Sequence, residues 1–188
     1  MKTEKEDRRV RKTKKALRVC LAELLLQKKL QEITVKEITE KADIHRSTFY
    51  ANFADIFDLY KHMEDVVIAE ISNIISEDCE LHPTEFYEIL LKYISNNKQI
   101  CQLFFNGVNT AFTNQLTALL EDKVLKYWHK QYVMTSITEE TVYYAQFYLS
   151  GSLGVIGKWV ASNFVYPQER LVKLLTDIDA NYHFHHTN

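Results

Sequence analysis

The chain has 188 residues, 46% of them hydrophobic, with only four glycines and two prolines. Its length is ample for a buried core, and the scarcity of breakers across long 3.6-residue periodicities points to an all-α protein. The net charge of −2 conceals a division, because residues 1–53 carry 14 Lys/Arg against 8 Asp/Glu and the remainder 9 against 17: a basic head suited to a polyanion precedes an acidic body. No apolar run reaches the ~18 residues of a membrane span and no signal sequence precedes the basic start, so a cytoplasmic protein with no membrane role is expected. Cys20, Cys79 and Cys101 are scattered and odd in number, which fits reduced, mostly buried thiols better than a disulfide frame.

In chain order, residues 1–9 are charged without apolar periodicity and read as a mobile arm. Lys2, Lys5, Arg8, Arg9, Arg11, Lys12, Lys14 and Lys15 make a basic cluster; with a helix-turn-helix downstream it suits phosphate contact and a reach into a minor groove, the alternative being a solvated terminus. Val10–Lys29 reads as a helix with Val10, Leu17, Cys20, Leu21, Leu24 and Leu25 on one face. Thr34 and Glu37 form a capping-box signature, with Ile33 and Ile38 placed for a hydrophobic staple. That helix runs to about Lys41, Ala42-Asp43-Ile44 makes a turn, and His45–Asn52 is a second short helix. Asp55 caps a third, which runs to about Ser76 with an apolar stripe through Ile56, Leu59, Tyr60, Met63, Val67, Ile71, Ile74 and Ile75. Two short helices across a tight turn make the helix-turn-helix plan, whose second helix enters the DNA major groove.

Roles within this unit divide by position. Val35, Ile38, Ile44, Phe49 and Phe53 are core candidates. Arg46 has the planar fork that fits two acceptors on a guanine edge, and Ser47 and Thr48 suit base edges or phosphate. Thr34 and Lys36 stand at a helix start suited to a phosphate. His45 fits either a cap or a DNA contact, and Asn52 is a further DNA-facing candidate.

Thr34-Val35, Ile38, Ala42, Ile44, Ser47-Thr48-Phe49-Tyr50, Phe53 and Leu59 together resemble the DNA-binding domain of the TetR family of bacterial transcriptional regulators. The likeness is dense over residues 13–60 and looser beyond. It implies that Tyr50 contacts the DNA backbone, that the third helix joins head to body, and that a tilt of that helix changes head spacing in a dimer. Three positions depart from the family pattern: Asp43 stands where Gly is usual, His45 where Ser or Thr caps the recognition helix, and Ile56 where a phosphate-binding Lys is common. The expected organisation is a three-helix DNA-binding domain at 1–54 and a helical bundle at 55–188 for ligand binding and dimerisation.

In the body, Cys79 and His82 are spaced like half a metal site, but nothing completes the set, so no metal and no cofactor are expected. Helices are expected over Thr84–Ser95, Lys98–Phe105 and Val108–Lys130, broken at Asn96-Asn97 and Asn106-Gly107. The last of these should turn Phe112, Leu116, Leu119, Leu120, Val124 and Tyr127 inward. After a loop at 133–136, a Ser136/Glu139 capping box should open a helix over Glu139–Phe164. One face carries Leu149, Leu153, Ile156, Val160 and Phe164, another Gly151, Gly154, Gly157 and Ala161. Glycine in a helix costs up to about 1 kcal/mol relative to alanine, so this stripe implies close approach of another backbone or a ligand, or tight intrachain packing. Pro167 starts the last helix, which ends near Ala180 with Leu171, Leu174, Leu175 and Ile178 inward. The family resemblance implies that the last two helices form a four-helix dimer interface, with Gly151, Gly154, Gly157, Ala161, Leu171 and Leu175 as its candidates. The SGSLGVIGKW stretch at 150–159 also resembles a subgroup that includes regulators of dihydroxyacetone kinase genes. The tail residues His183, His185 and His186 fit weak metal binding or a disordered end.

Phe86, Tyr93, Phe104, Phe105, Phe112, Tyr144, Phe147 and Tyr148 suit either the aromatic wall of an effector pocket or a solid aromatic core. The expected function is a homodimeric regulator, a repressor by family habit, that binds a palindromic double-stranded operator and responds to a small-molecule effector. An activator, or a regulator controlled by a partner protein, is the alternative. No phosphate loop, nucleophile elbow or helical metal pair supports an enzyme.

Overall fold

The computed structural model describes residues 2–74, 82–105, 110–131 and 136–181, which form nine α-helices and no strand. The chain divides into two compact units, Met1–Val67 and Ile68–Asn188. The boundary falls inside a helix and not at 54/55, because the front of that helix buries Ile56, Leu59, Met63 and Val67 in the first unit.

The first unit opens with α1 (Lys2–Leu25), so the charged stretch expected to be a mobile arm is helical. Lys, Glu and Arg are good helix formers, and apolar periodicity is no requirement for a helix that faces water. Leu17, Leu21 and Ala22 of α1 are fully buried, whereas Val10 is exposed, so the apolar stripe begins a turn or two later than its first residue suggests. A single 3-10 turn over Leu30–Glu32 leads to α2 (Val35–Lys41), then α3 (Arg46–Tyr50) and α4 (Ile56–Ile74). The Asp55 cap forms: the Asp58 amide donates to Asp55 Oδ1 at 2.8 Å, and the Ala54 amide to Asp58 Oδ2 at 2.9 Å. Ile56, which replaces the expected lysine, is buried.

The second unit holds α5 (Pro83–Asn96), α6 (Lys98–Phe105), α7 (Thr110–Gln131), α8 (Glu139–Ala161) and α9 (Gln168–Asn181). α8 packs on α6 and α7, and α9 on α5. Several local expectations shift. The cap of α8 is Thr138 with Thr141, two residues after the Ser136/Glu139 signature. α8 stops at Ala161, where Asn163 and Phe164 both take positive φ (57° and 63°) that a right-handed helix excludes. Trp128 of α7 is buried where Tyr127 was expected. In α9 the buried set is Leu171, Val172 and Leu175, while Leu174 and Ile178 are exposed. Leu171 and Leu175, expected at a dimer surface, therefore lie inside the unit, because the α5-facing side of α9 takes them. Cys79, Asn106-Gly107, the residues 133–135 and the histidine-rich tail lie outside the described residues.

The glycine stripe of α8 divides as well. A Cβ at Gly151 or Gly154 would meet nothing within 4 Å, but at Gly157 it would lie 3.0 Å from the Phe105 carbonyl oxygen. Gly157 thus permits the C-terminus of α6 to approach α8. Gly157→Ala should fail to gain, in urea denaturation, the up to about 1 kcal/mol that alanine brings over glycine in a helix, because the added methyl meets the Phe105 carbonyl oxygen. A gain of that full size would mean that α6 yields freely.

Candidate nucleic-acid interface

The recognition helix depends on how α2 begins. Thr34 Oγ1 accepts from the Glu37 amide at 3.3 Å, and the Thr34 amide donates to Glu37 Oε2 at 2.8 Å, closing the expected capping box. The Thr34 hydroxyl also donates to Glu37 Oε2 at 2.8 Å. A contact not foreseen adds to it: the Lys28 ammonium pairs with Glu37 Oε1. The hydrogen bond from Lys28, followed by those from the Thr34 amide and hydroxyl, holds the Glu37 carboxyl down at about 2. Lys28 and Glu37 are nine residues apart, so no helical spacing rule could reveal the pair. A second tie joins Lys41 to Glu23 of α1 at 2.9 Å and raises the Lys41 pKa through that hydrogen bond.

From α2 the chain turns at Asp43, whose φ of 51° is the left-handed conformation that the usual glycine would supply. The Ile44 amide then donates to the Thr39 carbonyl at 3.0 Å and closes the turn. Thr39 itself is buried, with its hydroxyl donating to the Val35 carbonyl at 2.8 Å. α3 starts at Arg46, with His45 in the N-cap position but making no side-chain cap bond, so its imidazole is not a cap. Phe49 is fully buried and anchors the helix between the edge of Tyr50 (centroids 5.5 Å apart) and Phe53 (5.9 Å).

With Phe49 inward, the opposite side of α3 faces water. His45, Arg46, Ser47 and Tyr50 are exposed and Thr48 is half-buried. Asn52 is half-buried, and its amide nitrogen donates to the Thr48 carbonyl at 2.8 Å, which ties it to the end of α3. Lys36 is exposed and lies 3.8 Å from Glu40. The structure therefore groups His45, Arg46 and Ser47 at one helix end, while the hydroxyl of Thr34 is engaged in its own cap.

Residues 81–179 match a family model, TetR_C_8, described as a transcriptional regulator C-terminal region. The chain belongs to the TetR family of transcriptional regulators. Solved structures agree in fold. A TetR transcriptional regulator from Streptococcus agalactiae 2603V is 21% identical with a TM-score of 0.64, covering 94% of this chain and 98% of its own. The dihydroxyacetone kinase operon activator DhaS is 17% identical with a TM-score of 0.67, over 90% and 94%. The TetR family repressor AlkX from Dietzia sp. strain DQ12-45-1b is 14% identical with a TM-score of 0.53, over 89% and 95%. No curated protein sequence matches the chain.

In the body of this TetR-family protein, the eight aromatic pocket candidates separate. Phe104 and Phe112 are 0% and 2% exposed and stack with centroids 4.7 Å apart, and Phe105 meets Phe112 edge-on at 5.6 Å. These three rings therefore pack against one another in the interior of the unit. Phe86 and Tyr93 are half-buried on α5. Tyr144 and Phe147 stand on the outer side of α8, where with Glu140 and Tyr143 they line an open recess of about 350 Å³. Tyr148 turns inward instead and is the middle of a buried relay. Tyr87 Oη and Tyr148 Oη are 2.7 Å apart, and Tyr148 donates to Asp179 Oδ1 at 2.7 Å. Burial pushes the Tyr87 phenol up to about 12 and raises the Tyr148 and Asp179 pKa values as well. Asp179 gave no signal in the sequence, being one of two acids near the C-terminal end of α9.

Among the described residues no group of three His, Cys, Asp or Glu side chains is placed to hold a metal, and no helix is long and apolar enough to cross a membrane. Cys20 is buried as expected of a small core residue, and burial is the leading cause that raises its thiol pKa.

The depressed Glu37 pKa sets a pH dependence. A carboxyl near 2 in the fold against an ordinary 4.5 stabilises fully above pH 4.5, and the contribution disappears as pH falls through 2. Chemical denaturation of the wild type and Glu37→Gln should show a stability gap that is constant above about pH 4.5 and closes toward about pH 2. A gap independent of pH would contradict the Lys28–Glu37 pairing in solution.

Proposed function

We propose that this protein is a homodimeric repressor that binds a palindromic operator through α3 and leaves it when a small-molecule effector binds the body. The observation that carries the reading is the exposed His45-Arg46-Ser47 end of α3, presented by a turn closed at Asp43 and a helix whose far side is anchored by Phe49. Arg46 and Ser47 supply base contacts, with Thr48 beside them. Lys36, Tyr50 and the cations of α1 supply phosphate contacts, which set register and give salt-dependent affinity. Two such heads would address major grooves about 34–36 Å apart, or a multiple of that.

Support for a dimer comes from α8. Tyr143 and Phe147 are 69% and 71% exposed, and Gly151, Gly154 and Ala161 continue the same exposed strip at helical spacing. Leu174 and Ile178 of α9 are exposed too. Large apolar side chains followed by small ones suit a second helix that crosses closely at the small end. Two exposed aromatic rings on one strip exceed the scattered apolar exposure normal for a monomer surface.

The sign of regulation has two precedents among the similar folds, since one is titled an operon activator and another a repressor; the alternative reading is an activator. Control by a partner protein is a second alternative, favoured by the burial of Phe104 and Phe112 against each other, which takes these two rings away from a ligand.

An operator can be sought in DNA upstream of the protein's own gene, with scrambled duplex as reference and a salt series. Arg46→Ala should retain helicity and lose about 10–100-fold in operator-to-scrambled discrimination, the worth of one bidentate base contact. Unchanged discrimination would remove Arg46 from base readout. In sedimentation at micromolar concentration the wild type should run as a dimer, and Phe147→Lys should shift it toward monomer. A dimer unaffected by Phe147→Lys would place the interface on another face.

A further inference from the structure

The first unit contains a polar group for which the DNA-binding role has no use. His62 of α4 is half-buried, and its Nε2 is buried with no hydrogen-bond partner among the described residues. Its ring lies 5.3 Å from that of Phe53, and the same Phe53 ring carries the Lys14 ammonium 5.6 Å from its centroid. Phe53 in turn packs on Phe49, the anchor of the recognition helix. His62 therefore stands two aromatic contacts away from Phe49, the side chain that seats α3, with the Phe53 ring between them.

The charges around it come from two helices. α1 presents Lys14 and Arg18, which oppose a positive imidazole; α4 itself presents Asp58 and Asp65, which favour one. Burial is the largest influence and acts with the cations, so the balance holds the His62 pKa below the ordinary 6.5. The chemistry agrees with the geometry. An imidazolium carries an N–H on both nitrogens, and a proton on Nε2 would be buried without an acceptor, which is costly for a charged donor.

We infer that His62 is a proton-sensitive strut of the DNA-binding head, packed on Phe53 when neutral and driven out to water when protonated. Its departure removes the ring that backs Phe53, so the packing that seats α3 loosens as the medium acidifies. The direction follows from linkage. A group that is harder to protonate in the fold contributes stability that is complete above 6.5 and is lost as pH falls from 6.5 toward the folded value. Acid thus weakens the head before it reaches the range in which Glu37 titrates.

The test uses the full chain and no DNA, so its outcome is independent of any operator or effector. Imidazole NMR of the native protein between pH 8 and 5 gives the titration of His62 itself. Amide hydrogen exchange, corrected for intrinsic rates, compares residues 13–67 in the wild type and His62→Phe. His62 should titrate below 6.5, and a one-unit depression corresponds to a loss of about tenfold in head protection on acidification. His62→Phe, which keeps a ring against Phe53, should lose less. Titration of His62 at or above 6.5 overturns the inference, as does a parallel loss of protection in both proteins. If His62→Phe does not fold, the titration of the native protein decides alone.

Discussion

The capping box at Thr34–Glu37, locked from outside by Lys28, is the constraint on which the head depends. A helix as short as α2 (Val35–Lys41) gains little from propensity, since nucleating a helical turn is itself unfavourable. Its direction must come from its ends. At the start, one carboxylate serves the Thr34 amide, the Thr34 hydroxyl and the Lys28 ammonium together. At the finish, Lys41 is tied back to α1 by Glu23. Between these two ties Ile38 is buried, and beyond them Asp43 reverses the chain. α3, with five residues, is even less able to fix itself. It inherits its orientation from α2 and from the burial of Phe49. The exposed Arg46 is positioned by groups outside its own helix as well as by Phe49 within it.

The body follows a different logic. Its core is aromatic, and Tyr87, Tyr148 and Asp179 join one another there in a hydrogen-bonded relay, while the buried Thr176 hydroxyl of α9 has no partner among the described residues. The relay joins α5 to the two helices α8 and α9, which follow it much later in the sequence. Three helices joined by satisfied buried hydrogen bonds resist sliding past one another, because each broken link would leave a buried hydroxyl or carboxyl without a partner. A ligand that acts on this body has to outcompete those links or work from the open α8 side.

The head was legible in the sequence because its determinants are local. Capping boxes, the Asp43 turn and the Phe49/Phe53 anchors are read within a few residues, and Thr34–Glu37 and Asp55–Asp58 formed as their spacing suggested. The Lys28–Glu37 tie was not legible, since it depends on how a loop returns to a helix. In the body, periodicity identified the helices but not their burial. Leu174 and Ile178 obey the same spacing as Leu171 and Leu175, yet only the latter pair is buried. A stripe wider than its packing partner has members left over, and which ones remain outside is decided by the neighbouring helix. The aromatic set was ambiguous for the same reason: Tyr144 and Tyr148 are one turn apart on α8, one open to water and the other at the centre of the relay.

The position of the boundary between the units has a practical consequence for exchanging heads between regulators. A joint made at residue 54, where the helix-turn-helix ends, would take the head without Ile56, Leu59, Met63 and Val67, all buried within it. The transplanted head would then have to find substitutes for four apolar side chains in whatever helix follows. It would also lose His62, and with it the ring behind Phe53. A hybrid regulator that keeps this head intact has to be spliced beyond Val67, in the middle of α4. There the foreign sequence must continue the helix without a break, so the choice of donor body is governed by helical register as much as by the signal it senses.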